Sequence, residues 1–179
     1  MPRIGRDLVA QARMLALREP GRPKQATLRR AVSTAYYGLF HFLIEESTIL
    51  LCGSTQNDVE FRQLAARAFV HAKMRSACKE FMKLNPREVH DLLQPFWARL
   101  AIANNAHARL VAEAFIDLQD ERQSGDYDLA ASFSRQDALV AVARAEAAVN
   151  AWRQMRTAHP ESCRLFAMAL ILWPSLSSR

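Results

Sequence analysis

The stretch Leu28-Arg-Arg-Ala-Val-Ser-Thr-Ala-Tyr-Tyr-Gly-Leu-Phe-His-Phe-Leu43 decides how the chain is read. At helical spacing, Arg30, Ser33, Tyr37 and His41 recur at i, i+3, i+7 and i+11 and share one face. Leu28, Val32, Ala35, Leu39 and Leu43 fill a neighbouring apolar face. A buried polar group without a partner costs about 1–3 kcal/mol. The stripe is therefore expected to face another polar element, a ligand or a groove.

Outward from this stretch, the periodicity predicts a chain of helices. A short helix over 4–17 ends at Pro20-Gly-Arg-Pro23, because the two prolines cannot continue it. The helix holding the stripe covers 24–51, and Gly53 stands where a C-terminal cap is expected. Asn57-Asp58 is suited to start a third helix over 59–84, with a break near Ala72. Asn85-Pro86 and Gln94-Pro95 mark an irregular connection or short turns. A fourth helix covers 104–121, and Arg122-Gln-Ser-Gly-Asp-Tyr-Asp128 reads as a polar loop. Ser134 and Asp137 form a capping-box pattern ahead of an Ala-rich fifth helix over 135–157. Short connections between long amphipathic helices predict an all-α, up-and-down bundle of four to five helices. Residues 1–158 are assigned to it, and 159–179 to an apolar tail packing on the bundle or on a second subunit.

Composition agrees with a helical chain. Of 179 residues, half are hydrophobic and only five are Gly. The net charge is +6, and all but four of the 24 basic residues are Arg. Guanidinium suits phosphate and stacks on bases, which makes RNA or a nucleotide a candidate partner; a solvated basic surface is the alternative. Arg75, Lys79 and Lys83 fall at i, i+4 and i+8 of the predicted third helix and leave the same choice open. Cys52, Cys78 and Cys163 form no CxxC pair and read as thiols of a reducing compartment. His71, His90 and His107 lack a second ligand at metal spacing, so neither a metal site nor a cofactor is expected. The start of the chain lacks a signal-peptide core, and the apolar run 165–173 is too short to span a bilayer, so a cytoplasmic protein is expected.

Two segments together carry a family resemblance. The first is Arg30-x-x-Ser33-x-x-Tyr36-Tyr37-x-x-Phe40-His41, and the second is Leu118-x-x-x-Arg122-x-x-x-Asp126-Tyr127-Asp128. Their order and separation resemble the HEPN domain, in particular its bacterial and archaeal branch, over residues 4–158. The resemblance implies a helical bundle that pairs into a homodimer. It also implies a groove lined by Arg30, Ser33, Tyr37, His41, Arg122, Asp126 and Tyr127. Many members of the family pair with a nucleotidyltransferase in toxin–antitoxin systems. Others are metal-independent ribonucleases whose motif is an Arg and a polar residue followed, a few residues on, by a His.

Arg122 and Gln123 match the start of that motif, but Tyr127 stands where the His is expected. Imidazole carries protons near neutral pH; a phenol with an ordinary pKa near 10 does so poorly. The expectation is a HEPN-like protein that binds RNA or a nucleotide without the ordinary ribonuclease activity. Two alternatives stand beside it. One is an atypical metal-independent ribonuclease using Arg122 with His41 or Tyr127. The other is a non-enzymatic toxin–antitoxin or scaffold subunit that pairs with a nucleotidyltransferase. In that case the stripe is a structural network joining the second helix to Arg122–Asp126.

Overall fold

Prolines and one extended residue divide this chain into more helices than its periodicity suggests. The structure, a computed structural model, describes residues 4–176, and side chains among them up to Trp173. Residues 1–3 of the expected bundle and 177–179 of the expected tail lie outside the described residues. The helices are α1 (Ile4–Leu17), α2 (Gln25–Cys52), α3 (Val59–Ala66), α4 (His71–Phe81), α5 (Gln94–Arg99), α6 (Ala106–Tyr127), α7 (Arg135–Ala158) and α8 (Pro160–Leu176).

The chain is all-α, but the expected bundle of four to five helices is corrected to eight distinct helices among the described residues. The predicted third helix is two, because Val70 takes an extended conformation (φ −125°, ψ 125°) between α3 and α4. Lys83 then lies beyond the end of α4, where its ammonium binds Glu80 at 2.7 Å and the Glu88 carbonyl at 2.6 Å. The basic row Arg75–Lys79–Lys83 is therefore interrupted. The irregular connection contains α5, with Pro95 in its first turn, where a missing N–H costs nothing. Pro160 opens α8 in the same way.

Two other boundaries move. α6 runs on to Tyr127, so most of the expected polar loop is helix. The last carbonyls of a helix lack internal partners and favour a cation nearby. Arg29 supplies one, donating to the Gly125 carbonyl at 3.0 Å. Asp58 stands at the N-cap position of α3, after a single 3-10 turn over Gln56–Asp58 that Thr55 caps: the Thr55 amide and hydroxyl donate to the Asp58 carboxylate at 2.8 and 2.6 Å. These bonds hold Asp58 below the usual carboxylate range. Gly53 follows α2 with φ +97°, a left-handed conformation that glycine adopts without penalty. Ser134 and Asp137 bond reciprocally ahead of α7.

The chain divides into two compact units. One comprises residues up to Phe42 with Ala114–Val149; the other comprises Leu43–Glu113 with residues from Asn150 onward. In the first, Val9, Ala12, Ala16, Leu28, Val32, Tyr36, Phe115, Leu118 and Val142 are buried. α1 and the first half of α2 approach closely at Gly5 and Gly38, where no Cβ intervenes. Arg13 and Glu146 add a two-bond ion pair at the surface.

In the second unit, the aromatic core is Phe81, Trp97, Trp152 and Phe166. Phe81 and Phe166 stack with centroids 3.9 Å apart. The tail helix α8 packs on α4 in this unit, and Arg156 meets Glu46 at 2.6 Å. No helix among the described residues is long and apolar enough to cross a membrane.

Candidate functional site

The residues singled out on α2 and near the end of α6 meet in the first unit. α2 presents Ser33 and Tyr37 one helical turn apart, and α6 presents Arg122 and Asp126 one turn apart. Ser33 Oγ donates to Asp126 Oδ1 at 2.5 Å. Arg122 donates from Nη2 to the Tyr37 hydroxyl at 3.1 Å. Its Nε lies 2.7 Å from Asp126 Oδ2. That contact is an ion pair by distance, but its angles do not make it a directed hydrogen bond.

Aromatic rings flank the guanidinium. The Arg122 Cζ lies 5.5 Å from the Tyr37 ring centroid and 5.4 Å from that of Tyr127. Both distances suit a cation–π contact. Burial works against the Arg122 cation, but Tyr37, Asp126 and Tyr127 together outweigh it and raise its pKa. Arg122 is therefore a fixed positive charge. Tyr127 itself is 69% exposed. A shallow recess beside it is lined by Asp120, Gln123, Ser124, Tyr127 and Asp128.

The other two stripe residues do not join this cluster. Arg30 is exposed, and its side chain bonds to nothing among the described residues. Its neighbour Arg29 is the arginine that reaches the end of α6. Besides Gly125, it binds the carbonyls of Leu129, at 3.3 Å, and Ala131. Arg29 precedes Ser33 and Tyr37 by four and eight residues, so the spacing contained this signal. Arg30, not Arg29, shares the helical register of His41, eleven residues on. His41 is half-buried, edge-on to the Phe40 ring at 5.3 Å, and bonds to none of Ser33, Tyr37, Arg122 or Asp126. Burial lowers its pKa, so its imidazole is neutral at neutral pH.

Gln25 is a further contributor that sequence reasoning missed. Its amide bonds both backbone groups of Phe133, donating at 2.7 Å and accepting at 2.8 Å. Arg135 donates to the carbonyls of Glu19 and Gly21, the latter at 2.7 Å. Neither position carried a spacing signal, because both bond backbone in distant connections.

Chemically, the cluster holds one charge-balanced Arg–Asp pair, one exposed phenol and a guanidinium clamped by two rings. It can stack a planar group against Tyr127 and hold it near a fixed cation. No imidazole shares in it. No group of three or more His, Cys, Asp or Glu suited to a metal ion exists among the described residues. No family model matches the chain, and neither does any curated protein or any solved structure.

Proposed function

We propose that this chain is a HEPN-like protein that binds single-stranded RNA or a nucleotide without cleaving it. The observation that carries the reading is the exposed Tyr127 ring, backed by the Arg122 guanidinium at 5.4 Å. A base stacked on such a ring gains about 1–3 kcal/mol, and the adjacent cation adds to that attraction. The two motif segments of the resemblance support it too, since Ser33 meets Asp126 and Tyr37 meets Arg122. The uncommitted Arg30 is available to phosphate. Catalysis is disfavoured because Tyr127 and His41 are poor substitutes for a motif histidine: one has a phenol, and the other lies outside the Arg122 cluster.

The test is fluorescence anisotropy with a labelled single-stranded RNA of mixed sequence, over a salt series and in EDTA. The expected result is binding that weakens with salt. Tyr127→Ala should weaken it about 5- to 150-fold, and the RNA should stay intact. Unchanged affinity in Tyr127→Ala would overturn the reading. Cleavage in EDTA that Arg122→Ala abolishes would favour the ribonuclease instead.

A second reading has its own support. Asp126 balances Arg122, and Ser33 and Tyr37 satisfy the pair, so the network stands complete without a ligand. That is what a non-enzymatic subunit pairing with a nucleotidyltransferase needs. Absence of salt-dependent RNA binding, together with co-purification of such an enzyme, would favour it. The homodimer implied by the resemblance belongs to both readings, and sedimentation velocity measures it.

A further inference from the structure

The second unit contains a cavity of about 300 Å³ between α5 and α8. Its walls are apolar: Leu93, Phe96, Leu165, Met168 and Leu172. Three charged residues border it, Arg99, Arg164 and Glu161. Neither arginine has a carboxylate partner among the described residues; Arg99 lies over the Phe96 ring at 5.1 Å. Glu161 sits in the first turn of α8, where the helix N-terminus already favours a negative charge.

An apolar slot of this size is at the lower end of small-molecule sites. Its surplus of unpaired guanidinium selects the sign of the ligand's polar end. A second copy of the chain suits the cavity poorly. A two-fold contact sets the same surface against itself, and two arginines against one carboxylate in each copy leave like charges facing.

We propose that this cavity binds a medium-chain acyl carboxylate, with the chain between α5 and α8 and the carboxylate at Arg99 and Arg164. The site is separate from the Tyr127 cluster and does not depend on the function assigned there.

Isothermal titration of the full chain with octanoate, decanoate and dodecanoate, each below its micelle concentration, tests this. One site per chain is expected. Affinity should rise roughly four-fold for each added methylene until the slot is full. Arg164→Gln and Arg99→Gln should each weaken decanoate about ten-fold. Met168→Glu, at a half-exposed wall position, should abolish binding while leaving the thermal melt in place. Decyltrimethylammonium should not compete.

Three results would overturn the proposal. The first is equal binding of the cationic and anionic amphiphiles. The second is no saturable heat at any chain length. The third is a Met168→Glu variant that dissociates an oligomer yet still binds decanoate.

Discussion

Gly5→Ala should be among the most damaging single-methyl additions in the first unit. A Cβ built at Gly5 lies 2.5 Å from the Phe42 amide nitrogen, 2.7 Å from its Cα and 2.8 Å from the Gly38 carbonyl oxygen. All three are backbone atoms, so no side chain can swing aside. Restoring an ordinary carbon contact of about 3.5 Å requires α1 to withdraw by roughly 1 Å. A gap of that size forfeits about a quarter to a half of each contact's attraction, including that of Val9, buried beside Gly38.

Overpacking typically costs about 1–3 kcal/mol, and a rigid obstacle belongs at the upper end. Alanine's better helix propensity returns up to about 1 kcal/mol in a helix interior, but less at the second residue of α1. The net expectation is a loss of about 2–3 kcal/mol, or roughly 4–12 °C in Tm for a chain of this size. Urea unfolding followed by far-UV circular dichroism reads it. Gly21→Ala is the control: nothing lies within 4 Å of its added Cβ, so its effect should be within about 0.5 kcal/mol of zero or slightly stabilising. A Gly5→Ala midpoint within about 0.5 kcal/mol of the parent would refute the reasoning.

Other expectations are as direct. Burial holds the folded His41 pKa below 6.5, so below that pH the unfolded chain takes up the proton first. His41 therefore costs the fold nothing above pH 6.5 and weakens it progressively on acidification. Urea midpoints at about pH 7.5 and pH 5 should diverge less in His41→Gln than in the parent, and an identical divergence would dismiss the role. Phe166→Ala removes one ring of the Phe81 stack and should cost about 3–5 kcal/mol, against under about 1.5 for Phe166→Leu; a loss below 1 kcal/mol would mean that the core collapses around the gap. Ellman's reagent should modify Cys52 alone in the folded chain. Cys78 is fully buried and the Cys163 thiol is pushed up to about 12, so rapid reaction of a second thiol would contradict their burial.

The helical character of the chain was readable from Leu28–Leu43, since a 3.6-residue period over a long stretch has few other solutions. The number of helices was not. Val70 takes an extended conformation, but a single β-branched residue is tolerated within helices and gives no stop signal by itself. Glycine at 125 looked like a loop residue, yet it lies in α6 because the Arg29 guanidinium satisfies its carbonyl from another helix. The cluster was half legible. Ser33, Tyr37, Arg122 and Asp126 meet as their spacings suggest, because i, i+4 pairs on two helices need only one register to match. Choosing between Arg29 and Arg30 required the rotation of α2 about its axis, which adjacent residues of one type do not reveal.

Three side chains of the first unit bind backbone groups of distant connections: Arg29 to Gly125, Leu129 and Ala131, Gln25 to Phe133, Arg135 to Glu19 and Gly21. Every amino acid except proline offers those same backbone groups. The path of residues 129–132 thus owes little to their own side chains, while Asp128 and Ser134 at its ends bond through theirs; Leu129, 94% exposed, contributes little but its carbonyl. Mutational tolerance is consequently lopsided. Residues 129–132 form a stretch where an epitope or a reporter peptide can be written in, while the information that shapes it is stored about a hundred positions earlier, in Gln25 and Arg29.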